Sequence, residues 1–224
     1  MGLDQYLYRM QRYEDATAND VRAVEIFLGW EKAKAEGSPY ANCTFEEWDG
    51  VKEIPPKKYI DFYSKFYEKK YSYFDVDKKY GYDQIKEEVG YWRKANQIHK
   101  WFVENIQDGV DDCDYHREVT EEDLRELLHT CRMVLNSCKL VDGQICNGYT
   151  FENGQKVPIM EDGKYVVDPT VAKELLPSTS GFFFGGTDYD EWYVEDIKNT
   201  INIITNVLET TDFETQMIYY RSSW

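Results

Sequence analysis

Both ends of this chain carry β-forming runs, and the strongest periodic segments between them follow a helical repeat. Two terminal strands that pair in one sheet tie down both ends and leave the helices to pack on its faces. Residues 3–10 alternate loosely and are rich in strand formers, and 216–224 read the same way. Within 151–167, Asn153-Gly154 and Asp162-Gly163 are turn signals beside two short extended runs. They predict a hairpin excursion near 147–168.

Four segments predict helices. In 57–70, Tyr59, Phe62, Tyr63, Phe66 and Tyr67 form an aromatic stripe with lysines opposite, entered through Pro55-Pro56. The second helix is expected over 89–106. The third, over 120–138, has Thr120 as N-cap, acids in its first turn, and Leu124, Leu127, Leu128, Cys131 and Leu135 on one face. The fourth runs over 189–208, with Thr187 as cap and Tyr193, Ile197, Ile201, Ile204 and Leu208 inward. The expected fold class is α+β: a small, mostly antiparallel sheet including both terminal strands, packed against several helices. One domain over 1–224 is expected, with a family-specific insertion near 40–82.

Lys and Arg number 26 against 42 Asp and Glu, a net charge of -16. Binding to long nucleic acid relies on many Lys/Arg contacts with phosphate, so that class is disfavoured. A small anionic ligand is not, because screening over about 8 Å isolates a local basic pocket from distant carboxylates. The same charge suits an acidic protein that mimics DNA toward a basic partner. No run approaches a membrane span, and the opening residues lack the pattern of a secretory signal. A cytoplasmic protein is expected. Cys43, Cys113, Cys131, Cys138 and Cys146 contain no CxxC and read as reduced thiols. His99, His116 and His129 form no metal-binding motif, and neither a metal nor a cofactor is expected.

The segment 89–103 is the most informative for chemistry. From Tyr91 to Trp101 it holds Arg93, Lys94 and Lys100 and no acid. On a helix, Trp92, Asn96, His99 and Val103 share a face, and Arg93, Gln97 and Lys100 share the next. A ring to stack on a base, an amide to read its edge and cations to hold phosphate suit a nucleotide. The competing reading is a buried amphipathic helix with Asn96 and His99 hydrogen-bonded in the core. A second segment, 179–193, places Gly181, Gly185 and Gly186 before a helix, where backbone amides can approach an anion. Asp188, Asp190 and Glu191 already fill that first turn and would repel phosphate, so a phosphate cradle is weakly indicated. The acids over Asp188–Asp196 leave a metal-dependent phosphodiesterase as a lesser alternative. Phe182, Phe183 and Phe184 read as core, with room for one of them to line a pocket. The candidate ligand-binding set is Tyr91, Trp92, Arg93, Asn96, His99, Lys100, Thr187, Tyr189, Trp192 and Arg221. No nucleophile motif appears, and the chain is not read as an enzyme.

The opening 2–7, the stretch 90–103, the turn Glu174-Leu175-Leu176-Pro177, the block 181–193 and the closing 219–224 resemble a widespread family of phage-encoded proteins. The family is similar to anti-CBASS sponges that sequester cyclic oligonucleotide signals of bacterial defence. The resemblance implies immune evasion in the host bacterial cytoplasm. It implies binding of a cyclic dinucleotide such as cGAMP without cleavage, by a homo-oligomer, dimer or tetramer, with pockets at subunit contacts. It assigns no individual ligand contact. The alternative is an acidic protein-binding inhibitor of a host defence nuclease, of DNA-mimic or anti-CRISPR type.

Overall fold

The computed structural model describes residues 2–49, 53–75, 77–114 and 117–224. His116 and residues 50–52 and 76 of the 40–82 segment lie outside the described residues. The fold is α+β, with an antiparallel sheet ordered β4-β1-β8-β5. Its strands are β1 (Asp4–Gln11), β4 (Glu87–Arg93), β5 (Glu118–Val119) and β8 (Gln216–Ser223). The terminal strands are therefore neighbours at its centre, as their composition predicts. Two further two-stranded sheets pair β2 (Glu68–Tyr71) with β3 (Gly81–Gln84), and β6 (Leu140–Glu152) with β7 (Gln155–Val166). The helices are α1 (Ala18–Ala35), α2 (Phe45–Asp49), α3 (Lys57–Tyr63), α4 (Asn96–Asn105), α5 (Glu121–Ser137), α6 (Thr170–Leu175) and α7 (Glu191–Thr210). Among the described residues, no helix is long and apolar enough to cross a membrane.

The chain divides into two compact units, and β1, β4 and β8 contribute residues to both. The first comprises Met1–Tyr6, Gly90–Thr210 and Tyr220–Trp224. There α5 packs on α7 and on α6. Thr120 caps α5 as predicted, and Asp123 makes the cap a reciprocal capping box. The buried face of α5 is Leu124, Leu127, Leu128, Cys131 and Val134, with Leu135 only half-buried.

Helix α7 departs from expectation at its cap and its face. Asp190, not Thr187, is the cap: its Oδ1 accepts from the amides of Trp192 at 2.9 Å and Tyr193 at 3.1 Å. Tyr193, Ile197 and Ile204 point inward as expected, but Val194, Thr200, Ile203 and Val207 complete the face. Ile201 and Leu208 are half-buried at its margin.

The hairpin β6–β7 exceeds its predicted bounds. Asn153 and Gly154 turn it, with φ of 51° and 79°, both in the left-handed region that such tight turns require. Asp162-Gly163 is no turn. Gly163 pairs with Gly143, and a Cβ on it would lie 2.4 Å from Ile145 Cδ1. Close packing, rather than chain reversal, demands that glycine.

The second unit comprises Leu7–Val89 and Thr211–Tyr219. Helix α1 packs on α3 and α2, burying Val21, Val24 and Phe27. Thr17 and Asp20 cap it reciprocally. No helix is predicted over these residues, because Ile26, Leu28 and Trp30 spread apolar side chains beyond the inward stripe and blur its period. The helix predicted over 57–70 ends at Tyr63. A 3-10 turn, Ser64–Phe66, follows, and β2 uses the next residues as a strand paired with β3. Only Tyr59 and Tyr63 of the aromatic stripe are fully buried in α3.

Candidate functional site

The predicted helix over 89–106 divides at Lys94. Residues 87–93 form β4, and α4 begins at Asn96. Lys94 adopts φ 62°, its amide donates to Leu3 O at 2.8 Å, and its own carbonyl accepts from Asn96 N at 2.8 Å. A left-handed lysine ends the strand and reorients the chain before the helix. Trp92 therefore does not share a helical face with Asn96 and His99. Strand alternation sends it inward, where it is 1% exposed and donates from Nε1 to Thr200 Oγ1 at 2.9 Å. Its neighbours take the other side. Tyr91 donates to Asp4 Oδ1 at 2.5 Å, and the Arg93 guanidinium stands 3.6 Å from that oxygen. Burial, then the Asp4 carboxylate, push the Tyr91 phenol up to about 12.

Asn96, Gln97 and His99 of α4 are buried and hydrogen-bonded within the fold. Asn96 donates from Nδ2 to Gly186 O at 2.8 Å and Phe184 O at 3.3 Å, and its Oδ1 accepts from Thr179 N at 2.9 Å. Gln97 donates to Asp196 Oδ2 at 3.2 Å. Gln5 donates from Nε2 to Ala95 O at 3.0 Å, and Tyr220 donates its hydroxyl proton to Gln5 Oε1 at 3.1 Å. His99 Nδ1 lies 2.8 Å from that hydroxyl. With the Tyr220 proton directed to Gln5, a protonated Nδ1 can donate to the Tyr220 oxygen. His99 Nε2 has Asp111 Oδ1 at 3.1 Å but no hydrogen bond. Burial pulls the His99 imidazole below its ordinary value, and Asp111 opposes the shift.

The remaining candidates are dispersed or engaged. Lys100 pairs with Glu104 one turn on. Arg221 donates to Cys113 O at 3.0 Å. Tyr189 accepts from Ser178 N at 3.2 Å, while Trp192 and Thr187 are exposed. The proposed ring-and-cation face on one helix is thus replaced by a buried scaffold of Trp92, Asn96, His99 and Tyr220.

What that scaffold holds is the loop 179–187. Asn96 fixes the carbonyls of residues 184 and 186, so Phe184 turns inward with its ring 5.2 Å from His99. Phe182 and Phe183 are left outside, 78% and 56% exposed, their rings 4.3 Å apart. Phe183 has φ 63° and Gly185 φ 96°. A left-handed phenylalanine is costly, on the order of 1–3 kcal/mol, and persists only where its surroundings enforce it. Lys94 and Arg93 border this loop. A Cβ on Gly185 would lie 3.1 Å from Lys94 Cβ. A Cβ on Gly2 would lie 3.6 Å from Phe183 O, 3.7 Å from Lys94 Cε and 4.0 Å from Arg93 Nη2. Lys94 is exposed and, among the described residues, has no acid in ion-pair range. Asp4 against Arg93 and the exposed Asp188 make the surface mixed in sign.

This patch has two outward rings, two cations and a backbone bare of side chains at Gly185 and Gly186. It can receive a planar, anionic molecule by stacking and charge-assisted hydrogen bonding. Sequence reasoning identified Arg93 and the glycines, read the three phenylalanines as core with at most one lining a pocket, and gave Lys94 no separate role, whereas Phe182 and Phe183 both face outward. Among the described residues, no group of three or more His, Cys, Asp or Glu could hold a metal ion. Comparison with protein-family models, with curated proteins and with solved structures finds no match.

Proposed function

We propose that this chain binds a small cyclic nucleotide on the 179–187 loop and holds it without cleavage. It would thereby act as a phage sponge for a cyclic dinucleotide signal of CBASS defence in the host bacterial cytoplasm. The observation that carries the reading is the pair of outward rings, Phe182 and Phe183, beside Arg93 and Lys94 on a loop fixed from behind by Asn96. Stacking of a base contributes about 1–3 kcal/mol, and a charge-assisted hydrogen bond about 1.5–3 kcal/mol. A nanomolar complex needs about -12 kcal/mol, so two bases and two phosphates approach it only on a preorganised loop. A homo-oligomer presenting one loop from each subunit suits a two-fold ligand.

Isothermal titration with cyclic di- and trinucleotides tests this reading. Heat of binding that Lys94→Glu or Phe182→Ser abolishes is expected, with the nucleotide recovered intact after incubation with magnesium or manganese. Flat heats across the series would remove it.

A second reading is favoured by one observation. A groove of about 520 Å³ is lined by Asp142, Asp162 and Glu191, with Lys164 beside them. An anionic groove suits an acidic inhibitor of a defence nuclease, and salt-sensitive inhibition of such a nuclease with no nucleotide binding would select it.

A further inference from the structure

The β2–β3 hairpin carries rings and lysines to the surface. Of the fourteen residues 69–82, five are aromatic, four are lysine and two are aspartate. Tyr82 is 74% exposed, Phe74 70% and Tyr80 61%, and Tyr71 and Tyr73 are open to solvent as well. Single exposed apolar residues are ordinary, but five rings on one hairpin mark an interaction surface.

The hairpin is held in shape from within. Asp75 N donates to Ser72 O at 3.0 Å and Lys78 N to Asp75 O at 2.9 Å. The Asp75 carboxylate accepts from Tyr80 N at 2.6 Å, and Ser72 Oγ donates to Glu88 Oε1 at 2.6 Å. The register sets Lys70 opposite Tyr82, so those two side chains share a face. Lys79 Nζ lies 5.2 Å from the Tyr80 ring centroid.

Charge narrows the choice of partner. Four lysines against two aspartates leave residues 69–82 with an excess of two positive charges in a chain of net charge -16. The acids at the strand ends are engaged: Glu68 stands 3.5 Å from Lys70, and Asp83, which opposes Lys69, is held by Lys32. Lys69, Lys78 and Lys79 are exposed and, among the described residues, have no acid in ion-pair range. Asp77 is exposed beside them. Screening over about 8 Å separates this cluster from carboxylates elsewhere.

Other partners match less well. Insertion into a membrane interface relies on Trp, Phe and Leu, whereas four of these five rings carry hydroxyls. Protein interfaces are depleted in lysine. A duplex keeps its bases stacked and calls for many more phosphate contacts. A single strand offers unstacked bases to Tyr and Phe rings and phosphates to a few ammonium groups.

We propose that this hairpin docks a short single strand of nucleic acid, its bases stacking on Phe74, Tyr80 and Tyr82 and its phosphates meeting Lys69, Lys78 and Lys79. The surface shares no residue with the 179–187 loop and stands whether or not a cyclic nucleotide binds there.

Fluorescence anisotropy of a labelled oligothymidine of about ten nucleotides, titrated with the full chain, tests it. A saturable rise is expected at about 50 mM salt, with affinity falling at a log–log slope of about -2, the value for three phosphate contacts on a single strand. Tyr82→Ala and Phe74→Ala should each weaken binding at least about fivefold. Lys156→Glu, on the β6–β7 hairpin, should bind as the wild type does, and excess cyclic dinucleotide should not displace the strand. Unchanged circular dichroism verifies that the variants fold. No rise up to about 100 µM protein would overturn the proposal. So would equal binding of the same oligonucleotide annealed to its complement, undiminished binding by the Tyr82→Ala, Phe74→Ala double variant, displacement by the cyclic dinucleotide, or recruitment to phosphatidylserine vesicles in place of the strand.

Discussion

Tyr220 donates to Gln5 at 3.1 Å, joining the last strand to the first through two buried side chains. Gln5 passes the link to the Ala95 carbonyl, and His99 Nδ1 reaches the same hydroxyl. Tyr220→Phe keeps the ring, stacked 4.0 Å from Phe102, and deletes the hydroxyl. Two buried groups then lose their partner, so chemical denaturation should show a loss of about 1–3 kcal/mol. A variant as stable as the wild type would mean that the network contributes nothing.

Asn96 restrains the loop that carries Phe182 and Phe183. In Asn96→Ala the amide of Thr179 loses its acceptor, and hydrogen exchange should accelerate there first. Asn96→Asp should be the worse variant, because a carboxylate cannot donate and would face the carbonyls of Phe184 and Gly186. Thermal melts of the two variants would expose any reversal of that order.

Asp196 should make stability depend on pH. Burial pushes its carboxyl up to about 7, a shift that the Gln97 hydrogen bond opposes. In the unfolded chain an aspartate titrates near 4. Between those values the native state binds the extra proton, so stability falls as pH rises from about 4 to about 7. Asp196→Asn should flatten this slope and leave the protein more stable at pH 8, by an amount on the order of 2–4 kcal/mol. Urea midpoints of both proteins from pH 4 to 8 read this directly.

Thr120→Ala should remove one half of the α5 capping box and lower stability by about 1 kcal/mol, roughly 2–4 °C in Tm for a chain of this size. Calorimetry decides it; a shift below one degree would show that Asp123 alone sustains the helix start.

Features written in local chemistry were legible in the sequence. The Thr120 cap ahead of an acidic first turn, the Asn153-Gly154 turn and the strand-forming ends each signal through neighbours a few residues away. The break at Lys94 was not legible, because lysine does not announce a left-handed backbone and Leu3, which accepts its amide, is remote in sequence. For the same reason a strand residue, Trp92, was placed on a helix. The site was half visible. Arg93 and the glycines stood out by composition, but which of three consecutive phenylalanines turns inward depends on carbonyls that Asn96 selects from 88 and 90 positions away.

With β1 and β8 side by side in the middle of the order β4-β1-β8-β5, the sheet cannot close during synthesis until Gln216–Ser223 has left the ribosome. Helices α1, α5 and α7 can form earlier, but β1 waits with one edge open while the roughly two hundred residues between it and β8 are made. Premature termination anywhere before β8 would therefore release a species with an unsatisfied central strand edge, prone to aggregate and suited to rapid clearance by proteases.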